Sequence, residues 1–134
     1  MKTRAAVVYE LNKGFVSYTP YSTFSSWIDI HSNGKKVSAG IFAAFSENLG
    51  ADKNVLVDTF VGRWSNIQAM FRVAPRLVFV SGKTSIGTEI EYSSANYHTN
   101  SVTINDTGYD SKGVVTNYDA ADNLKFLVNV KYVF

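Results

Sequence analysis

The stretch Ile67-Gln68-Ala69-Met70-Phe71-Arg72-Val73-Ala74-Pro75-Arg76-Leu77-Val78-Phe79-Val80 decides how this chain folds. Ile67, Ala69, Phe71, Val73, Pro75, Leu77 and Phe79 share one parity, and none of them is charged. Gln68, Met70, Arg72, Ala74, Arg76, Val78 and Val80 interleave with them. Successive side chains of a strand point to opposite faces, so this period of two describes a strand with one apolar face and one that accepts water. The run is longer than the roughly 5–6 residues of an ordinary strand. Pro75 is expected at a bulge or a strand end, because it cannot donate to a central ladder. The parity does not slip across it, so the segment reads as one long strand.

The same pattern extends in both directions. Gly82-Lys83 reads as a tight turn into a strand over Thr84 to Ala95, with Ile86, Thr88, Ile90 and Tyr92 opposing Ser85, Gly87, Glu89, Glu91 and Ser93. Upstream, Val37, Ala39, Ile41, Ala43 and Phe45 oppose Lys36, Ser38, Gly40, Phe42, Ala44 and Ser46. The Asn33-Gly34 pair before them is a strong hairpin signal. It leads back to a strand with Phe24, Ser26, Ile28 and Ile30 against Ser25, Trp27, Asp29 and His31, beginning as early as Phe15. A first strand runs from Lys2 to Glu10 and turns at Leu11-Asn12-Lys13-Gly14. The last strand sets Phe126, Val128, Val130, Tyr132 and Phe134 against Lys125, Asn129 and Lys131, with Leu127 and Val133 the exceptions on the polar side.

Two longer connections, Glu47 to about Gly62 and Asn96 to about Ala121, are rich in Asn, Asp, Ser and Gly. Both fall on one side of the sheet, and the other side holds only tight turns. Outer-membrane barrels show this asymmetry, with an even strand count. The expected fold is therefore all-β, an antiparallel up-and-down β-barrel or barrel segment of about six to eight strands. Eight would be reached if Val102-Thr103-Ile104 and Val114-Val115-Thr116 formed a further hairpin in the second connection.

Composition narrows the function. Thirteen basic residues stand against eleven acidic ones, without the basic footprint that nucleic acid requires. There are no cysteines, hence no disulfide framework and no thiolate metal site. No apolar run approaches the ~20 residues of a membrane helix. The apolar stretch Ala5 to Tyr9 is too short for a signal-peptide core, so no signal peptide is read in this chain. The 134 residues then read as one barrel domain or as the C-terminal segment of a larger barrel.

Parity alone leaves open which face is outward. A membrane barrel turns the apolar face to lipid and encloses the polar one. Aromatics gather toward the ends of the apolar face (Tyr9, Tyr18, Phe79, Tyr92, Tyr132, Phe134), where interfacial girdles sit. A small soluble barrel binding an apolar ligand would do the reverse and line a cavity with Phe71, Phe79, Ile90 and Phe126. A third reading is a sheet that assembles into an oligomer through exposed edges.

The ending Asn129-Val130-Lys131-Tyr132-Val133-Phe134 resembles the C-terminal signal of outer-membrane barrels, which finishes aromatic-x-aromatic on Phe. Asn129 stands where that pattern has Gly, and Leu127 where it has a polar residue. More broadly, Arg72-Val73-Ala74-Pro75-Arg76-Leu77-Val78-Phe79 followed by Ser81 to Tyr92 resembles the C-terminal part of porin-like outer-membrane proteins of Bacteroidota, of the DcaP-like type. The resemblance implies a bacterial outer-membrane location and contact with membrane lipid and the barrel-assembly machinery. It also implies passive diffusion of small solutes through a homo-trimeric barrel.

On this reading Arg72, Arg76, Glu89, Glu91, Lys125 and Lys131 face the lumen, where rows of opposite charge orient solutes. The same residues also read as cross-strand pairs and solvated surface. Phe71, Phe79, Ile90, Tyr92, Tyr132 and Phe134 face lipid. Enzyme chemistry is not expected: there is no Gly-x-Ser-x-Gly, and Gly82-Lys83-Thr84 lacks the preceding Gly of a phosphate loop. Glu89 and Glu91 imitate a carboxylate pair without further support. His31 and His98 are isolated, so no metal or other cofactor is expected. The segment Asn105 to Asp110 has calcium-loop character, but Asn117 stands where the acidic closing residue belongs.

Overall fold

The computed structural model describes residues 5–10, 15–55, 65–99 and 107–134, with side chains from Thr19 onward. The chain forms one six-stranded sheet in the order β1-β2-β3-β4-β5-β6, each strand beside its sequence neighbour. The strands are β1 Ala5–Glu10, β2 Phe15–His31, β3 Val37–Ala51, β4 Ile67–Ser81, β5 Thr84–His98 and β6 Tyr118–Tyr132. β1 pairs antiparallel with β2, from Ala5 opposite Pro20 to Glu10 opposite Phe15. β1 and β6 are the two edges, so the fold is an antiparallel up-and-down sheet, the arrangement of a barrel segment.

Several boundaries differ from the sequence expectation. β3 runs on to Ala51, β5 to His98, and β6 begins at Tyr118. These extensions lack an apolar face, so period two fades there, but two of their amide side chains find partners on the adjacent strand. Asn48 donates to the Ile67 carbonyl and Asn96 to Gln68 Oε1. Pro75 sits inside a central strand and forgoes one ladder bond without ending it. Val114 to Thr116 forms no strand: Val115 makes only an isolated bridge to Tyr109. Val102 to Ile104, the turn Leu11 to Gly14, Lys2 to Arg4 and Asn105-Asp106 lie outside the described residues, as do the side chains of Tyr9 and Tyr18.

The Asn33-Gly34 hairpin is present, but its connection is the five residues Ser32 to Lys36, and Gly34 is not left-handed. Two bonds close it: Ser32 N donates to the Ala39 carbonyl at 2.8 Å, and Ala39 N donates to Ser32 Oγ at 3.0 Å. Glycine is needed at 34 because an added Cβ would run into the Val37 carbonyl oxygen. Gly82, by contrast, is left-handed with φ of 58°, and open space surrounds it. Gly82→Ala should therefore cost about 1 kcal/mol from backbone strain alone, checked by denaturant unfolding.

Contacts group the chain into two units. The loop unit comprises Met1–Ser25, Ser46–Met70 and Ala95–Ala121, and the turn unit Ser26–Phe45, Phe71–Ser94 and Asp122–Phe134. The loop unit has a small core of Tyr21, Ala51 and Val55. In the turn unit, Ala74 is the single buried apolar residue among those described. Its large apolar side chains are exposed instead, Phe71, Phe79, Ile86, Ile90, Phe126 and Val130 among them. A soluble domain of this size would collect such residues in a core.

Candidate functional site: the charged face of the turn unit

In β4, Arg72, Arg76 and Val78 are half-buried while Phe71, Pro75 and Phe79 are exposed. In β5, Glu91 is buried and Gly87 and Glu89 are half-buried, against exposed Ile86, Ile90 and Tyr92. On β4 and β5 the polar face is thus the more enclosed one and the apolar face the more open, whereas β6 and the described part of β2 beyond Ser22 are exposed on both faces. Phe71 and Tyr92 meet on the open face with ring centroids 5.7 Å apart, and Tyr132 meets Phe134 edge-on at 5.1 Å. A groove of about 390 Å³ crosses this face between Ser26, Ile28, Ala43, Phe45, Phe71 and Val73. Its lining also takes in Trp27, Ala44 and Arg72, residues of the other parity.

Charges on the polar face fall into two groups. Glu91 lies between two cations, with Arg72 Nη1 at 3.4 Å and Lys125 Nζ at 3.0 Å. Its side chain is only 11% exposed, whereas those of Arg72 and Lys125 are 43% and 51% exposed. The carboxylate is therefore shielded while its partners remain half open to solvent. Arg76 takes a different partner: its Nη2 donates to Asp29 Oδ1 at 2.6 Å, and His31 Nδ1 lies 3.8 Å from the same oxygen. Asp29 is on β2 and Arg76 on β4, so the bridge passes over the intervening β3.

Of the residues expected to face a lumen, Arg72, Glu91 and Lys125 are brought together and Arg76 joins Asp29. Glu89 and Lys131 form no ion pair with any described residue. Parity groups Asp29 with His31 but gives no sign that it is the partner of Arg76. The one signal for it is Gly40, the gap on the strand between. Among the described residues, no three His, Cys, Asp or Glu side chains converge.

The loop unit carries a separate polar cluster. Tyr21 Oη donates to the Gly113 carbonyl at 2.8 Å, and Asn48 Nδ2 donates to Tyr21 Oη. Asp110 Oδ1 accepts from the backbone of Lys112 and Val114, both at 2.8 Å, the side-chain-to-backbone bonding of a turn. Ala51 N and Val55 N donate to the carbonyls of Lys112 and Ser111, fixing this loop to the end of β3. His98 stacks on Tyr109 at 4.3 Å, and burial pushes the Tyr109 phenol above its ordinary value. Tyr21→Phe should cost about 1–3 kcal/mol, because the Gly113 carbonyl loses its partner. Faster amide exchange at Lys112 to Val114 in the variant would check this.

Comparison with known protein families, characterised proteins and solved structures finds no match. The fold and the charged face therefore define a class only, an all-β antiparallel sheet with one apolar and one charged face.

Proposed function

We propose that this chain forms part of the wall of a porin-like outer-membrane channel for passive diffusion of small solutes, its apolar face toward lipid and its charged face toward water. The observation that carries this is the inverted burial of β4 and β5. Large apolar side chains are exposed, while the least exposed face bears Glu91, Arg72 and Arg76. In hydrocarbon such an apolar face costs nothing, and paired charges suit a wet interior. Phe71, Phe79, Ile90 and Phe126, which a ligand-binding soluble barrel would enclose, are all exposed, which favours the membrane reading over that alternative.

Chemistry is not required of the site. Solutes would be selected by lumen width and by the field of Arg72, Glu91, Lys125, Arg76 and Asp29, with Glu89 and Lys131, which pair with no described residue, as additions. The exposed edge strands β1 and β6 would be covered by further strands or by neighbouring protomers, as closure of a membrane sheet demands. A homo-trimer in the outer membrane, reached through the barrel-assembly machinery, belongs to the same proposal.

The test is refolding from denaturant into detergent, followed by incorporation into a planar lipid bilayer. The proposal expects heat-resistant β structure in detergent and discrete ion conductance in the bilayer. A monodisperse, detergent-free species that leaves bilayers silent would refute it and promote the soluble barrel.

A further inference from the structure

We infer that Gly40 is a positioning residue: its missing side chain opens the path by which Asp29 captures Arg76 across β3 and holds that guanidinium against the sheet. The geometry is local to the turn unit. A Cβ added at Gly40 would lie 3.0 Å from Arg76 Nε, 3.0 Å from His31 Cβ and 3.2 Å from the Ile30 carbonyl oxygen. Gly40 thus sits under the guanidinium and beside the strand that carries Asp29. Side chains on alternate strands of a sheet are roughly 9–10 Å apart, two interstrand spacings. Only a long side chain lying flat over the middle strand closes that distance, and any side chain on the middle strand stands in its way. The 2.6 Å contact between Arg76 Nη2 and Asp29 Oδ1 shows the path in use.

The consequence rests on the reading of this face as a channel wall. Arg76 and Arg72 stand four positions apart on one strand and look equivalent in sequence, yet they differ in function. Arg76 is tied down and one-to-one neutralised. Arg72 shares a single carboxylate with Lys125 and keeps its outer surface open. Gly40 and Asp29 therefore decide which of the two arginines meets a passing solute.

A double-mutant cycle on the refolded full chain tests the bridge without needing conductance. Asp29→Asn, Arg76→Gln and the double variant are compared by thermal unfolding in detergent, in the native chain and in a Gly40→Val background. The inference expects the native double variant to lose no more than the worse single variant. In the Gly40→Val background, neither change should lower the melting temperature further. A coupling of equal size in both backgrounds would overturn it, since a merely structural glycine lowers stability but leaves the coupling intact. Gly40→Ala, which crowds Arg76 Nε less, gives a reduced coupling and serves if the valine variant does not refold.

Labelling with an arginine-specific dicarbonyl gives a second readout. Arg76 should react several-fold more slowly than Arg72 in the native chain and match it in Asp29→Asn and in Gly40→Val. Equal reactivity in the native chain would contradict the inference. If the native chain also fails to conduct, the channel reading falls, and the cycle still decides the bridge.

Discussion

Ile90→Arg is expected to lower unfolding stability in a lipid bilayer by about 2–4 kcal/mol, the cost of a cation on the lipid face near the midplane of a membrane barrel. Ile90 is 48% exposed on the apolar face of β5, flanked in sequence by Glu89 and Glu91 on the other. A guanidinium there has no carboxylate on its own face within the same strand, and snorkelling to the interface relieves only part of the cost. Ser93→Arg, on the polar face of the same strand, should cost less than about 1 kcal/mol, as ordinary surface changes do. The comparison is made by urea titration of both variants in vesicles. If water bathed the apolar face, Ile90→Arg would fall within about 0.5 kcal/mol of the native chain. The size of the difference between the two faces is what matters, since both variants add the same charge to one strand.

The second large effect is electrical. Glu91→Gln removes the one carboxylate that Arg72 and Lys125 share, at 3.4 and 3.0 Å. Two cations are then left uncompensated on the polar face. At about 6 Å in water a unit charge is worth roughly 0.7 kcal/mol to a passing monovalent ion, about threefold in occupancy. The same charge disfavours a cation as much as it favours an anion, so the ratio of anion to cation permeability should rise by about tenfold, read as a reversal-potential shift in a salt gradient. Glu89→Gln changes the formal charge equally, but it leaves no cation pair stranded and should shift the ratio less. Equal shifts for the two glutamates would mean that the Arg72–Glu91–Lys125 cluster has no special part in the field.

The contrast between these two carboxylates shows where sequence reading reaches and where it stops. Parity put Glu89 and Glu91 on one face with Arg72 and Arg76 on the corresponding face of β4, and both assignments agree with the burial of the strands. Period two carries that information because the side-chain repeat is a property of one strand alone. Pairing is a property of two or three strands, and register is not written in parity. Arg76 reaches past its neighbouring strand to Asp29, so the residue that matters for it lies 47 positions upstream. Gly40 is the trace such a bridge leaves in sequence, and it reads as an ordinary small residue until its neighbours are known.

Turns follow the same division. Gly82-Lys83 was legible because the left-handed φ of 58° at Gly82 is a local demand that glycine meets. At Asn33-Gly34 the same dipeptide logic found the hairpin but not its form. The connection is set by the Ser32–Ala39 bonds and by the approach of the Val37 carbonyl, both non-local. Strand ends were the least legible. From Glu47 to Ala51 and from Asn96 to His98 the apolar alternation stops, but the ladder continues because Asn48 and Asn96 find partners on adjacent strands. Hydrophobic pattern marks where an apolar face ends, which is not where the backbone ladder ends.

The central claim is that the apolar face meets lipid and the charged face meets water. The chain has no cysteine, so single cysteines can be placed one at a time without background. The decisive measurement is a cysteine scan over residues 86–91 of β5, in refolded protein reconstituted into vesicles, using a charged thiol reagent that does not cross membranes. The account predicts reaction with period two: fast at 87 and 89, slow at 86, 88 and 90, and slower at 91 than at 89 because Arg72 and Lys125 cover that position. Equal rates along the strand, or fast reaction at 86, 88 and 90, would contradict it.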